Sequence, residues 1–327
     1  SIGSTYFNLK VLDDFTGNIV SSFDPSPTLD YSNGILYTIS LDESSTFLGG
    51  SYDIMGGHSR DNIFCFDLQT GEVTDWDPDA NQEVHSIVVE NDLVYVGGRF
   101  NYIADQSSSS LEAIDRTSGL ASDLFPDIEG IYNGASFSAV IYDMFVNDSD
   151  LIIGGNFIAV GSDERRSLAA VDLSSGLASD WNPSPSESNS VTVYDLEFRN
   201  DTVYVGGRFS SIGGSGRNDL ASIFMDNGVA TTWNPNVSGS DVRSLILSDS
   251  LVYVGGDFTS VGGEFRQNLA ALSIQTGLAT SWNPDVEDEV FDLTFDGPEI
   301  LIIGGLFEEV NSKPIEHIAA LNLIDAS

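Results

Sequence analysis

The chain is short of cysteine and histidine, and this shortage excludes several kinds of chemistry. Cys65 is the single cysteine in 327 residues, so no disulfide can form within the chain, and we interpret this thiol as a small buried core residue. The three histidines, His58, His85 and His317, occupy unrelated positions, so we expect neither a zinc site nor a nucleophile paired with histidine. A glycoside hydrolase needs only two carboxylates, so that one enzyme class stays open.

Basic residues and long apolar runs are also scarce. The chain has 12 basic residues against 50 acidic ones, a formal net charge of −38, which repels nucleic-acid phosphates and anionic membranes. No run approaches the roughly 18 apolar residues of a membrane span, and we read the longest candidate, residues 300–307, as a strand. The charge favours a salty, calcium-rich or cell-surface setting, hence an extracellular location, with general solubility as the alternative.

What the chain does have is a repeat built on paired glycines. Six apolar runs each end in Gly-Gly with an aromatic residue two positions beyond, and the pairs are spaced 48 to 57 residues apart. This spacing is typical of four-stranded propeller blades and lies outside the common helical repeats. The first glycines of the pairs are Gly49, Gly97, Gly154, Gly206, Gly255 and Gly304.

Other landmarks keep a fixed distance from the glycines and divide each unit into four predicted strands. Strand a alternates in polarity, strand b is the apolar run before Gly-Gly, strand c is a phrase such as Leu-Ala-Ala-Val-Asp, and strand d carries a tryptophan. The tryptophan follows the second glycine by 26 residues in four units and opens a Trp-Asn-Pro or Trp-Asp-Pro turn. These tryptophans are Trp76, Trp181, Trp233 and Trp282.

These landmarks resemble those of known propeller families. Gly-Gly after a buried strand is similar to kelch-type repeats, and Gly-Gly-x-Phe with Leu-Ala-Ala-x-Asp and Trp-Asn-Pro resembles the bacterial delta-60 repeats, a domain of unknown function. The resemblance covers about residues 5–325 and implies an extracellular repeat module without a shared catalytic motif. We therefore expect one all-β domain over residues 1–327, a β-propeller of four-stranded antiparallel blades.

The number of blades follows from how the ends pair. The chain starts mid-repeat, with a strand c at residues 9–13 and a strand d at residues 19–25, and it stops after a strand c at residues 318–323. Pairing of the N- and C-terminal strands would complete a blade and remove exposed sheet edges, so we favour six blades, with seven as the alternative. A third interpretation is that the chain belongs to a longer polypeptide.

Two sets of residues are predicted to bind a ligand. One arginine per unit lies ten residues after the second glycine in four units, and such a ring would suit an anionic glycan. The alternative is that each arginine pairs with carboxylates or carbonyls of its own or the next blade. The arginines are Arg60, Arg165, Arg217 and Arg266. The variable loop 127–139 carries Tyr132, Asn133 and Phe137, side chains suited to stacking on a sugar or anchoring a protein, with an unspecialised surface loop as the alternative.

Strand a supplies candidate metal ligands, and the turns supply candidate glycosylation sites. Asp143, Asp195 and Asp292 recur near the start of strand a, where three carboxylates could hold Ca²⁺; chance is the alternative in so acidic a chain. No other cofactor is expected. Asparagines that begin Asn-x-Ser/Thr are explained by turn chemistry, with glycosylation as the alternative. They are Asn147, Asn200 and Asn236.

The sequence thus predicts a non-catalytic, extracellular or cell-surface propeller. Its role would be to bind a protein or a glycan, in adhesion or assembly, without nucleic acid and without membrane insertion. One alternative is a carbohydrate-active hydrolase or lyase that uses channel carboxylates. The other is a purely structural subunit that assembles with copies of itself or within a larger polypeptide.

Overall fold

The computed structural model describes residues 34–42, 44–55, 58–122, 124–132, 135–187 and 190–324. Every regular element within these ranges is a β-strand, and paired strands run antiparallel. The expected all-β class is confirmed. The terminal strands predicted at residues 9–13 and 19–25 lie outside the described residues.

The strands follow one another in a regular order. The first fifteen are β1 (Ile35–Leu41), β2 (Ser45–Ser51), β3 (Ile54–Met55), β4 (His58–Ser59), β5 (Ile63–Asp67), β6 (Val84–Glu90), β7 (Leu93–Gly98), β8 (Tyr102–Ile103), β9 (Gln106–Ser107), β10 (Leu111–Asp115), β11 (Ile128–Tyr132), β12 (Ala135–Phe137), β13 (Val140–Asn147), β14 (Asp150–Asn156) and β15 (Ala159–Val160). The others are β16 (Asp163–Glu164), β17 (Leu168–Asp172), β18 (Thr192–Arg199), β19 (Thr202–Arg208), β20 (Ser211–Ile212), β21 (Ser215–Gly216), β22 (Leu220–Phe224), β23 (Ser238–Leu247), β24 (Leu251–Val261), β25 (Glu264–Phe265), β26 (Leu269–Ser273), β27 (Val290–Asp296), β28 (Ile300–Gly305), β29 (Glu309–Val310), β30 (Lys313–Pro314) and β31 (Ile318–Asn322).

The chain forms two compact units. Among the described residues, the first unit falls within 34–151, 157–163 and 171–177, and the second falls within 152–156, 164–170 and 178–324. The first unit contains the sheets β1-β2-β5 and β10-β7-β6, and the second contains β18-β19-β22, β23-β24-β26 and β27-β28-β31. The single domain expected from the sequence stays a prediction.

Each of these sheets places the predicted strand b in the middle. In β19, the residues Val203, Tyr204 and Val205 are all buried, so both faces of the central strand are covered, as the apolar run predicts. Strand a lies at one edge of the sheet and strand c at the other. Buried side chains from successive sheets join in shared clusters, such as the one that contains Tyr253, Trp282 and Val290.

The predicted fourth strand is wrong, because the tryptophan segment joins strand c through a single bridge in four of the repeats. A longer ladder would need the backbone N–H and C=O groups of this segment, but these groups form hydrogen bonds with side chains instead. In one repeat the Thr280 carbonyl accepts a hydrogen bond from Arg266, and the Trp282 N–H donates to the Thr280 hydroxyl at 3.2 Å. The bridges are Phe66↔Val73, Ile114↔Ala121, Ile223↔Ala230 and Leu272↔Ala279.

The tryptophans instead connect neighbouring sheets. The Trp233 indole N–H donates to the Ser273 carbonyl of β26 at 3.0 Å, and the Tyr204 ring meets this indole edge to face with centroids 5.4 Å apart. Equivalent indole bonds reach strand c of the next sheet in the three other repeats that carry this tryptophan. They are Trp76 to Asp115, Trp181 to Phe224 and Trp282 to Asn322.

The two glycines of each pair have different roles. A Cβ at Gly255 would lie 2.6 Å from Val290 Cγ1 of the next sheet, so the first glycine lets that sheet pack directly on the backbone. A Cβ at Gly256 would lie 2.4 Å from the Asp241 carbonyl oxygen of its own sheet, where strand a bulges. Neither glycine has a positive φ, so space rather than backbone conformation requires glycine here.

The connection between strands b and c holds a short hairpin that was not predicted from the sequence. In the second unit, β20 and β21 pair around Gly213 and Gly214, whose φ angles are 58° and 73°. Two consecutive residues with positive φ are the requirement of a tight two-residue hairpin turn. Similar hairpins are β3-β4, β8-β9, β24-β25 and β29-β30.

A buried polar residue with positive φ follows four of these five hairpins: Asn62, Ser110, Asp219 and Asn268. Asn268 accepts a hydrogen bond from the Phe258 N–H at 3.2 Å and donates one to the Val286 carbonyl at 3.1 Å. Asp219 has the same place in its repeat and accepts from the Phe209 N–H at 2.9 Å, but an ionised carboxylate has no proton to donate. Burial, with a smaller effect from the charges of Asp241 and Glu187, raises the pKa of Asp219 to about 7, although the hydrogen bond from the Phe209 N–H acts in the opposite direction.

Gly255→Ala should destabilise the protein, because the new methyl group has no room beside Val290. Overpacking of this kind typically costs about 1–3 kcal/mol in the free energy of unfolding, measured by urea denaturation. Gly216→Ala is the matched control, since a Cβ there meets nothing within 4 Å. Equal stability of the two variants would contradict the proposed role of the first glycine.

Asp219→Asn should stabilise the protein above neutral pH. The pKa of Asp219 is about 7 in the folded protein, whereas an unperturbed aspartate has a pKa of 3.8, so its contribution is most favourable below about pH 4 and declines as pH rises to 7. Asparagine restores the donor seen at Asn268 and should add about 1–3 kcal/mol at pH 8, with little gain at pH 4. Urea denaturation at both pH values measures the difference, and a gain independent of pH would rule out this explanation.

Candidate binding site

The edge strands carry a bulge at the same position of their repeats. In β6, Val84 pairs with Gly98 and Ser86 pairs with Gly97, so His85 is the extra residue, and its side chain lies outside the regular alternation. Tyr142 has this sequence position in β13. We call the six residues at this position the bulge residues. They are Tyr37, His85, Tyr142, Tyr194, Arg243 and Phe291.

The bulge residues of the first unit form a row of rings, which we call the first arc. The ring centroids of Tyr37 and His85 are 4.5 Å apart, and those of His85 and Tyr142 are 5.1 Å apart. Tyr37 is 42% exposed, and the other two are partly buried. Burial lowers the pKa of His85 to about 4, so its imidazole is neutral at physiological pH.

The second unit contributes the other three bulge residues, Tyr194, Arg243 and Phe291, which we call the second arc. The Arg243 guanidinium carbon lies 4.2 Å from the centroid of the Tyr194 ring. Arg243 Nε also forms ion pairs with Glu289 at 2.8 Å and with the buried Asp241 at 3.0 Å. The face of Tyr194 that meets Arg243 is therefore covered by a cation whose charge is already matched.

The predicted metal ligands lie one residue beyond the bulge and hydrogen bond to neighbouring strands. Asp195 accepts from the N–H of Leu196 at 2.8 Å and from the N–H of Leu245, in the next sheet, at 2.6 Å. Asp143 accepts from the Met144 N–H at 2.8 Å, and the Ser86 hydroxyl lies 3.5 Å from its carboxylate. Asp292 accepts from the Leu293 N–H at 2.9 Å.

These carboxylates therefore already have structural partners. Burial raises the pKa of Asp292, while hydrogen bonds from the Leu293 N–H and the Ser244 side chain act in the opposite direction. No group of three or more His, Cys, Asp or Glu side chains in the part of the chain that the structure describes is arranged to hold a metal ion. Calcium binding by these residues stays a prediction.

The four arginines of the predicted ring each lie just after the second strand of a short hairpin, at the ends of β4, β16, β21 and β25. Arg217 donates to the Gly216 carbonyl at 2.8 Å and to the Thr231 carbonyl at 2.6 Å, and Arg165 donates likewise to Glu164 and Ser179. Arg60 forms an ion pair with Asp77 at 2.8 Å, and Arg266 donates to Phe265 and Thr280. These are the contacts of the structural alternative, and a role in ligand binding stays a prediction.

The predicted aromatic loop at residues 127–139 is a hairpin in the structure. Tyr132 is the last residue of β11 and pairs with Ala135, and Phe137 of β12 pairs with Gly130. Strand β11 also pairs with β15, which fixes the hairpin to a neighbouring connection. Asn133 and the side chains of Tyr132 and Phe137 lie outside the described part of the structure. Their binding role stays a prediction.

The three candidate glycosylation sites occupy turns or strand ends. Asn147 is the last residue of β13, and Asn200 is exposed in the turn between β18 and β19. Asn236 is exposed with a φ of 51°, and its side-chain oxygen accepts from Asn218 at 3.3 Å. Positive φ at Asn200 and Asn236 agrees with the turn chemistry predicted for such positions. Glycosylation stays a prediction.

The bulge residues were not predicted from the sequence as a set. The small polar residue of strand a recurs visibly in the repeat and draws attention to its own position. The bulge residue is the one just before it. The signal was present, because four of the six residues just before it are aromatic: Tyr37, Tyr142, Tyr194 and Phe291. Only the strand register shows that these side chains occupy a bulge.

Within the described ranges, no helix is long and apolar enough to cross a membrane. No family model matches the chain, and no curated protein matches it.

Several solved structures are similar in fold. The crystal structure of the mitotic checkpoint complex contains a chain with 13% identity and a TM-score of 0.62, and the match covers 98% of this chain and 86% of that one. The computationally designed Ika8 protein has 12% identity and a TM-score of 0.58 over 98% of this chain and 79% of that one. The extracellular domain of a putative hybrid two-component system from B. thetaiotaomicron has 13% identity and a TM-score of 0.58 over 98% of this chain and 38% of that one. At such identities the likeness is one of fold alone: this chain is an all-β repeat protein.

Proposed function

We propose that the chain is a β-propeller in which the repeated packing of sheet on sheet closes into a ring of six blades, with seven as the alternative. Closure is supported by two sheet faces, one on β1 and one on β28, that lack the covering found at the same positions of the other repeats. Ile39 of β1 is 50% exposed, although the residues at its position in the other repeats are buried. A Cβ at Gly304 would meet only the His317 carbonyl oxygen, at 3.9 Å, although the other first glycines would each lie within 3.0 Å of a neighbouring sheet. The buried equivalents of Ile39 are Ile87, Met144, Leu196, Leu245 and Leu293.

The proposed role is a non-catalytic binding module outside the cell or on its surface. The observation that carries this proposal is the first arc, where three rings line up on consecutive edge strands. Aromatic faces with a polar edge suit the apolar face and hydroxyl groups of a sugar, and they also anchor protein partners. The row of three rings favours a glycan over a protein.

The proposed location rests on charge. A net charge of −38 is best tolerated where salt or divalent cations screen it, and one structure of similar fold is an extracellular domain. The resemblance to kelch and delta-60 repeats agrees with this location. Adhesion or assembly at a cell surface is the setting that we propose.

One observation favours the alternative of a hydrolase or lyase. Glu197 lies two residues beyond Asp195 on β18, so both side chains leave the strand on the same side. Burial raises the pKa of Glu197 to about 7, helped by the charge of Asp195, whereas two backbone N–H groups stabilise the charge of Asp195. One protonated and one ionised carboxyl is the combination that glycosidases use.

Closure of the ring predicts that Gly304→Ala is as destabilising as Gly255→Ala, about 1–3 kcal/mol in urea denaturation, because a neighbouring blade would cover Gly304. The same denaturation of Gly216→Ala supplies the baseline for a harmless added methyl group. A neutral Gly304→Ala variant beside a destabilised Gly255→Ala variant would contradict closure.

The binding role predicts that the whole chain binds glycans on a printed array with saturable affinity. Tyr142→Ala should weaken that binding about tenfold, the loss of roughly 1.4 kcal/mol of ring contact. Phe265→Ala is the matched control, because Phe265 is 66% exposed on β25, a strand that carries none of the bulge residues.

Two results would contradict this role. Equal losses for both variants would mean that the first arc is not the binding surface. Release of reducing ends from a bound polysaccharide, abolished by Glu197→Gln, would favour the hydrolase alternative.

A further inference from the structure

The first arc offers rings rather than charges to a ligand. The Tyr37 and His85 rings are tilted by 30° with their centroids 4.5 Å apart, and the His85 and Tyr142 rings meet edge to face at 63° with their centroids 5.1 Å apart. The two tyrosines add phenol hydroxyl groups, and the imidazole of His85 adds nitrogen atoms that donate or accept hydrogen bonds. This surface suits a sugar ring, which has an apolar C–H face and hydroxyl edges.

Charges around the first arc are balanced. Glu83 and Arg99 both act on His85, with opposite signs, and their side chains lie 3.9 Å apart as an ion pair. His85 itself carries no charge at neutral pH, because burial disfavours its protonated form. A carboxylate or sulfate on a ligand would therefore find no excess of positive charge on these residues.

Arg243 is the one arginine among the bulge residues, and acidic side chains pair with it. Arg243 of the second arc is paired with Glu289 and Asp241 and packs on Tyr194. The whole chain carries a net charge of −38, which lowers the local concentration of any polyanion. Recognition of an acidic glycan would have to overcome both effects.

We infer that the first arc binds an uncharged saccharide, with sugar rings packed on Tyr37 and Tyr142, and that it discriminates against glycans bearing carboxylate or sulfate groups. This inference deepens the proposed function and rests on it. It also contrasts with the predicted arginine ring, whose four guanidinium groups would have selected an anionic glycan. The chemistry of the first arc assigns specificity to stacking and to hydroxyl hydrogen bonds.

The test uses the whole chain and two sets of polysaccharides. Mannan, xylan and a β-glucan are the uncharged probes, and alginate, polygalacturonate and chondroitin sulfate are the anionic probes. Binding is measured by isothermal titration calorimetry at about 20 mM and about 500 mM NaCl. The higher concentration screens most interactions between exposed charges. We expect at least one uncharged probe to bind with an affinity that salt changes by less than about twofold, and Tyr37→Ala to weaken it about tenfold.

Each other outcome overturns a defined part of the account. Tighter binding of an anionic probe, or an affinity for uncharged probes that falls tenfold with salt, would overturn the inference and leave the binding role intact. Uncharged binding that survives both Tyr37→Ala and Tyr142→Ala would place the saccharide elsewhere and also overturn the inference. No binding of any probe would overturn the glycan-binding role itself. Thermal unfolding and near-ultraviolet circular dichroism of each variant confirm that a lost signal is not lost folding.

Discussion

The structure depends on the packing of one sheet against the bare backbone of the previous sheet at the first glycine of five of the six pairs. At Gly255 the side chains of Val290 and Leu293 occupy the space that a Cβ would need, and the other first glycines before it meet an equivalent valine, isoleucine or leucine. Close-packed interiors leave no slack for an added methyl group at such a point. The spacing between these sheets, and with it the position of the edge strands β6, β13, β18, β23 and β27, follows from this contact.

The second glycine of a pair is linked to the candidate binding surface through the bulge of strand a. It leaves room for the carbonyl oxygen at the bulge of strand a, and the bulge then pushes one side chain per repeat out of the alternating pattern. The neighbouring aspartates strengthen the arrangement, since Asp195 bonds to the Leu245 N–H of the next strand a. The repeated backbone thus holds a different side chain at the same position of each repeat. Recognition residues in proteins are often variable residues held by a regular scaffold in this way.

The sequence predicts the scaffold well because its landmarks are local. Paired glycines, an apolar run and a Trp-Asn-Pro turn each report on a single strand or its end, so the order of strands a, b and c is correct. The fourth strand is wrong because Arg266 and the Thr280 hydroxyl occupy polar groups that a ladder would use, and hydropathy does not record such bonds. The short hairpins were missed although Gly213-Gly214 is a strong turn signal.

The candidate site was harder to predict because its residues are related by the strand register, which the sequence does not show. The first arc combines Tyr37, His85 and Tyr142, which come from three different strands and meet only in the folded chain. The arginines, which recur identically, bond to carbonyls of their own repeat instead. In this protein the recurring arginines make structural contacts, whereas the bulge residues vary at a position that the strand register fixes.

The most direct test of this account is a double-mutant cycle between Gly255→Ala and Val290→Ala, measured as free energies of unfolding in urea. Each single change should destabilise the protein, the first by crowding and the second by leaving a cavity. If packing on the first glycine holds the sheets together, the double variant should be more stable than the sum predicts, by about 1–3 kcal/mol, because the new methyl group fills the space that the valine leaves. Additive losses would show that the two positions do not constrain each other and would contradict the account.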